Sequence, residues 1–201
     1  MLKLYGSARS RALRNIWMLN ELSMDYEHFD WLPRSPETKT PEFQAISNGS
    51  AIPVLADDDF VLSESMAINF YLAKKCQSAL YPSDQESEAL ALQWSLWETD
   101  KLDRALVNHA RHSNDLPEAE RDPAIAQTAW QECIKSFQVL ESALANSDWL
   151  VGTDFTIADL NVASAMYRAL VLDLSEWPKT NDWLARCWAR PAAQSAKAMR
   201  E

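Results

Sequence analysis

Pro53 stands inside the run AIPVLADDDFVLSESMAIN, residues 51 to 69, which otherwise reads as a strand of apolar and β-branched residues. Proline has no N–H for a strand ladder, so it is confined to the entry, the edge or a bulge of a strand. The acidic trio Asp57 to Asp59 then breaks the run as a hairpin tip does, and the apolar pattern resumes at Phe60. Ser63, Glu64 and Ser65 follow with the polar, oxygen-bearing side chains that open a helix. A strand entry, a hairpin and a helix start are thus compressed into one short stretch, and the chain must build at least a small sheet with a helix packed on it.

The rest of the first 78 residues extends that sheet. LKLY and YEHFDWL are short aromatic or β-branched runs, and the helical stretches SRALRNIWMLNELS and ESMAINFYLAKKC lie between and after the strands. The predicted order is β, α, β, a short helix or loop, β, β, α, an α+β arrangement with a mixed sheet. ALYPSDQESE, with Pro82, Ser83 and Asp84, breaks the pattern and reads as a linker over 79–86. Residues 87–201 then read as a second, all-helical domain. With only three glycines in 201 residues, few turns there demand positive φ.

In this half EALALQWSLWETDKLDRALVNHA sets Leu92, Leu96 and Trp97 on one face, and AIAQTAWQECIKSFQVLESALA sets Ile134, Phe137, Leu140 and Leu144 on another. Both predict long bundle helices. FTIADL carries a complete helix start: Thr156 to cap, Asp159 to reach back, and Phe155 with Leu160 as the apolar staple. Leu160, Ala163, Tyr167 and Leu170 continue an apolar face, and Asp159 reads as a structural residue.

Composition narrows the function. A net charge of −10 without a basic stripe disfavours nucleic acid. No apolar stretch is long enough for a membrane helix and the opening residues do not read as a signal peptide, which predicts a cytoplasmic protein without membrane contact. Cys76, Cys133 and Cys187 are widely spaced and lack a C-x-x-C pair, and His109 with His112 lacks a third ligand nearby, so neither a disulfide framework nor a metal is expected.

Five elements, LKLYGSARSRALRNIWMLNEL, FQAISNGSAIPVL, LSES followed by AI, LYPSD and FTIADL, stand in an order and spacing that resembles the cytosolic glutathione S-transferases, with the bacterial, serine-type branch nearest. The resemblance covers essentially the whole chain. It implies a thioredoxin-like glutathione-binding domain at 1–78, the linker, and an all-α helical bundle domain. It also implies glutathione as co-substrate, a small electrophile as second substrate, a homodimer, and a role in detoxification.

The resemblance further implies a cis bond at Ile52–Pro53, with the Ile52 backbone pairing to the tripeptide, and Glu64 with Ser65 holding its γ-glutamyl end. The alternative reading of Ser63 to Ser65 is a plain helix cap. Chemistry requires a hydroxyl or positive charge to stabilise the thiolate, the nucleophilic form of the sulfur. Ser10 is the first choice for that hydroxyl, Ser7 in the same loop is the alternative, and Arg9 or Arg11 are candidates to add positive potential. Where many members carry Gly and then a basic residue before the proline motif, this chain has Ser50 and Ala51. Lys39 is therefore the substitute candidate for the glycyl carboxylate. For the electrophile, Trp97 and Arg104 on the first long helix of the second domain are the candidates, with Trp94 and His109 nearby. The competing functions are a non-catalytic binding or stress-related protein on the same fold and a dithiol oxidoreductase; the absence of cysteine from GSARSRA argues against the latter.

Overall fold

The computed structural model describes residues 1–47, 49 and 51–201. Met1–Tyr81 together with Ala189–Glu201 form one compact unit, and Pro82–Trp188 form a second. The first unit is α+β and the second all-helical, as the sequence pattern predicts.

In the first unit the strands are β1 (Leu2–Tyr5), β2 (Glu27–Phe29), β3 (Val54–Asp57) and β4 (Phe60–Ser63), ordered β2-β1-β3-β4. β1 and β2 are parallel, and α1 (Ala12–Glu21) makes the crossover such a pair requires. β1 with β3 and β3 with β4 are antiparallel, the latter turning at Asp58, which takes φ 51. β2 is shorter than YEHFDWL suggests, because Trp31 N–H bonds back to the Phe29 carbonyl instead of extending the ladder. A 3-10 turn (Pro36–Lys39) and α2 (Pro41–Ile46) lead to β3, and α3 (Ser65–Lys75) follows β4.

Every residue of α1 from Ala12 to Leu19 is buried. A helix with one solvated face cannot do this, and the second face is covered by α9 (Pro191–Arg200), a segment that the sequence reading groups with the helical domain. Ala193 and Ala196 are fully buried there, and such small residues let the two helices approach closely.

The second unit holds α4 (Gln85–Trp97), α5 (Arg104–Ala110), α6 (Pro123–Ala143), α7 (Ile157–Ala165) and α8 (Pro178–Trp188). α4 begins within the stretch read as linker, because the Asp84 side chain accepts the Ser87 N–H at 2.9 Å and caps it. Wide π-type turns over Glu98–Asp103 and Arg111–Asp115 interrupt the expected single long helix.

The face of α4 is opposite to expectation: Leu92 and Leu96 are 42% and 71% exposed, while Ala91, Trp94 and Ser95 are buried. Ser95 Oγ donates to the Ala91 carbonyl and accepts from Asn161 Nδ2, so a satisfied polar pair occupies the inward face. On α6, Phe137 and Leu140 are buried, as is Leu144 just beyond its end, and Ile134 is half-buried. α7 is buried all round and ends at Ala165, so Tyr167 and Leu170 fall in a 3-10 turn rather than on its face.

The Thr156 cap is complete. Asp159 accepts from Leu150 N, Thr156 N and Trp183 Nε1, each at 2.9 Å, and from Thr156 Oγ1 at 3.1 Å. Burial holds its carboxyl above the ordinary carboxylate value, and these four donors offset only part of that rise.

Candidate functional site

Sheet register assembles the site. Tyr5 pairs with Phe29 on one side and Val54 on the other, and Val54 pairs with Ser63. The residues that continue from this row lie together at one end of the sheet: Gly6 to Ser10 after β1, Ile52–Pro53 before β3, and Glu64–Ser65 after β4. Gly6 has φ +140, and a Cβ there would lie 2.9 Å from the Ala12 Cβ, 3.4 Å from the Ile52 Cβ and 3.5 Å from the Pro53 Cα. Only glycine lets the start of α1 close against the Pro53 loop. The Ile52–Pro53 bond is cis. Ile52 is half-buried and Pro53 buried.

Ser7 to Ser10 form a tight turn between β1 and α1. The Ser7 carbonyl accepts both Ser10 N–H at 2.9 Å and Ser10 Oγ–H at 2.7 Å, and Ser10 Oγ accepts Ala12 N–H at 3.1 Å. Ser7 Oγ accepts Arg9 N–H at 3.2 Å, and Ser7 N–H donates to the Trp31 carbonyl at 2.7 Å. Ser10 is half-exposed and Ser7 is 3% exposed. The sequence-predicted alternatives therefore differ: Ser10 faces outward with its proton held inside the turn, whereas Ser7 lies beneath it.

Glu64 is exposed and left-handed, at φ 72 and ψ 112, a conformation that costs a non-glycine residue on the order of 1–3 kcal/mol. It directs the chain into α3 but makes no side-chain capping bond, so the plain-cap reading of Ser63 to Ser65 finds no such contact. Ser65 is buried, and Asn15 Nδ2 donates to its carbonyl at 2.8 Å and to Asn69 Oδ1 at 2.7 Å. Asn69 Nδ2 in turn donates to the Arg14 carbonyl at 3.3 Å. This buried amide pair ties the start of α3 to α1. With the positive ends of both helices aimed at this edge, the arrangement suits an anionic ligand group beside α3 and an anion beside α1.

Lys39 is exposed at the end of its 3-10 turn and makes no ion pair among the described residues. Ala51 is exposed; Ser50 lies outside the described residues.

Trp97 and Arg104 belong to the second unit and are not brought together. Trp97 is half-buried, edge-on to Trp94 at 5.1 Å, while Arg104 is exposed in a groove of about 510 Å³ that Asp100, Lys101 and Glu132 also line. His109 lies tilted against Trp130, ring centroids 4.9 Å apart, with Nδ1 3.3 Å from the Ala126 carbonyl, a packing role. Among the described residues no group of three His, Cys, Asp or Glu side chains is placed to hold a metal ion, and no helix is long and apolar enough to cross a membrane.

Sequence reasoning missed three contributors: the Asn15–Asn69 pair, the packing demand on Gly6, and Arg200, whose Nη1 donates to the Ala8 carbonyl at 2.7 Å. The alanines of α9 between Arg190 and Arg200 were the available signal for close helix packing.

Residues 1–74 match the family described as glutathione S-transferase, N-terminal domain, and residues 104–191 match its C-terminal domain. The chain is 28% identical over 200 residues to "Glutathione S-transferase GstB" of Escherichia coli K12, covering 96% of each chain. It is also 28% identical to "Disulfide-bond oxidoreductase YfcG" of the same organism, over 98% of this chain and 94% of that one. Among solved structures, the theta class glutathione S-transferase of Xanthomonas axonopodis pv. citri with glutathione bound superposes with a TM-score of 0.90 at 28% identity, covering 97% and 96%.

Proposed function

The chain belongs to the glutathione S-transferase family and acts as a glutathione transferase; from that premise we propose that it is a serine-type member of the bacterial branch. The convergence of the Ser7–Ser10 turn, Ile52–Pro53 and Glu64–Ser65 at one end of a single sheet carries the assignment of the site. Glutathione lies along that edge. Its γ-glutamyl carboxylate meets the uncapped N-terminus of α3 and Ser65, its ammonium meets Glu64, and the Ile52 backbone pairs with its central residue. Lys39 takes the glycyl carboxylate.

At the sulfur end the thiol gives its proton to solvent, and the thiolate is held by Ser10 Oγ–H, turned from the Ser7 carbonyl, and by the positive end of α1. The sulfur then forms a bond to an electrophilic carbon of the second substrate, whose leaving group departs or whose double bond takes the electron pair. The enzyme works as a cytoplasmic homodimer, for which exposed Leu92 and Leu96 supply apolar surface. Light scattering at micromolar concentration tests the dimer, and a monomer there refutes it.

A second sulfur ligand is favoured by one observation: among the described residues Ser7 Oγ accepts a hydrogen bond but donates none, so its proton is uncommitted. A second chemistry is favoured by the YfcG likeness, in which the same thiolate would attack a disulfide sulfur.

Spectroscopic titration of the bound thiol, after calorimetry has established binding, tests the site. Ser10→Ala should leave affinity nearly intact and raise the thiol pKa by about one to two units, the equivalent of one hydrogen bond to a charged group. Ser65→Ala should chiefly raise KM for glutathione. A shift with Ser7→Ala alone reassigns the ligand, and no shift with either removes the serine mechanism. A panel of chloroaromatic electrophiles beside a mixed disulfide separates the two chemistries; binding without turnover of any of them would mark a non-catalytic carrier.

A further inference from the structure

Ser7 to Ser10 make a β-turn, closed by Ser10 N–H on the Ser7 carbonyl, and the peptide at its centre joins Ala8 to Arg9. Both polar groups of that peptide are taken. Its N–H donates to Ser7 Oγ at 3.2 Å, and its carbonyl accepts Arg200 Nη1 at 2.7 Å. Arg9 Nε returns a bond to the Arg200 carbonyl at 3.4 Å. The turn that carries Ser10 is therefore fastened to α9, a helix nearly two hundred residues away in sequence.

α9 is itself held along α1. At the far end Arg190 forks onto Glu21, with Nε to Oε1 at 2.6 Å and Nη2 to Oε2 at 2.8 Å, while Asn20 Nδ2 donates to the Ala192 carbonyl. Trp17 Nε1 donates to the same Glu21 carboxylate at 2.9 Å. Buried Ala193 and Ala196 fill the middle. α9 thus runs antiparallel to α1, anchored by Arg190 at the end of α1 and presenting Arg200 at its start.

We propose that Arg200 is a positioning residue for thiol activation: it locks the central peptide of the Ser7–Ser10 turn and so fixes the hydroxyl of Ser10. The proposal rests on the assignment of Ser10 to the glutathione sulfur. A β-turn whose central peptide is unpinned can rotate that peptide, exchanging one turn type for another at little cost and moving the residue that follows. A guanidinium on the carbonyl side opposes this rotation, because flipping would abandon a charge-assisted bond and point the N–H at a cation. A donor must be aimed in advance to stabilise an anion effectively, so loosening the turn weakens the Ser10 bond to sulfur without removing it.

The test is the thiolate titration of the full-length protein with glutathione bound. Arg200→Met, which keeps bulk but loses the donor, should raise the thiol pKa by about half a unit to one unit, a fraction of what losing the Ser10 bond costs. Arg200→Lys should restore most of it. Because the effect passes through Ser10, Ser10→Ala with Arg200→Met should titrate like Ser10→Ala alone. A purely structural Arg200 would lower the melting temperature of Arg200→Met and leave the thiol pKa unchanged, which overturns the proposal. Additive shifts in the double variant, or a shift that vanishes in 1 M salt, would also overturn it, since either means a through-space charge on the sulfur. If Ser10→Ala itself leaves the titration unchanged, the parent assignment fails; if Ser10→Ala shifts it and Arg200→Met does not, only the role of Arg200 fails.

Discussion

Gly6→Ala is the substitution with the clearest consequence for the site. Two separate costs arise. At φ +140 an alanine sits in backbone space that side chains rarely adopt, which costs on the order of 1–3 kcal/mol. Its methyl would also stand 2.9 Å from the Ala12 Cβ, a separation that real Cβ atoms essentially never show, with the Ile52 Cβ and the Pro53 Cα close behind. None of these atoms is the far end of a flexible side chain, so relief requires moving α1 or the Pro53 loop. Overpacking of this kind costs typically about 1–3 kcal/mol, giving a total loss of about 2–6 kcal/mol in unfolding free energy. Urea denaturation followed by circular dichroism, with the slope checked for a change of transition, measures it.

The two costs separate in a double-mutant cycle. Ala12→Gly removes the nearest colliding atom and leaves φ untouched, so the pair should regain the overlap share, a coupling of about 1 kcal/mol or more beyond the ordinary cost of a helical glycine. Glutathione KM should rise in Gly6→Ala and partly recover in the pair, because the displaced element is the one bearing Ile52. A loss under about 0.5 kcal/mol for Gly6→Ala, the range of an unremarkable surface change, would refute the packing argument, and strict additivity would refute its steric half.

Asp159→Ala orphans buried donors from Leu150, Thr156 and Trp183 and should destabilise the protein by about 3–5 kcal/mol, with Asp159→Asn losing less; a melting temperature within a degree or two of the parent would contradict this. Of the three thiols, exposed Cys76 should react rapidly with a disulfide reagent at pH 8, while buried Cys133, pushed up to about 12 mainly by desolvation, should react only after unfolding. Two fast thiols in the folded protein would disprove that ranking. Bonds from Lys75 and then Tyr71 hold the Asp57 carboxyl below its ordinary value, so the stability they lend is present above about pH 4 and is lost as pH falls through the folded value. The urea midpoint of Asp57→Asn should accordingly lie below that of the parent at pH 7 and converge with it toward pH 2–3; a gap that persists in acid would count against the assignment.

Residues at the ends of elements were the legible part of this chain. The acidic trio marks the hairpin, although Asp57 itself ends β3 and pairs with Phe60, leaving Asp58–Asp59 as the tip; the resulting register brings Ser63, and hence Glu64 and Ser65, beside Pro53. Thr156 and Asp159 were equally readable, since a capping box is a local pattern complete within four residues. The inward face of α4 was not. Counting apolar residues selected Leu92 and Leu96, whereas the helix turns Ser95 inward because Asn161, far along the chain, satisfies it. A buried polar residue is stable only through its partner, and the partner has no local signature.

The same reasoning explains why the sequence located Ser10 but missed what holds it. The turn from Gly6 to Ser10 is written in neighbouring residues, so its place before α1 can be inferred locally. Its rigidity is written elsewhere, in a helix whose alanines match no motif and whose arginines look like an ordinary solvated end. Short-range signals therefore mark where a hydroxyl stands, and long-range packing decides how firmly it is aimed. If thiol activation depends on that aim, activity should respond to substitutions that loosen the hold on α9 and touch neither glutathione nor Ser10. Glu21→Gln, which weakens the Arg190 fork at the opposite end of α1, should then raise the thiol pKa in the same direction as Arg200→Met but by less. Melting curves for Glu21→Gln, recorded beside the titration, distinguish a displaced α9 from a damaged core. A normal titration in a variant whose α9 has demonstrably loosened, by faster amide exchange across 191–200, would break the link between helix packing and sulfur chemistry.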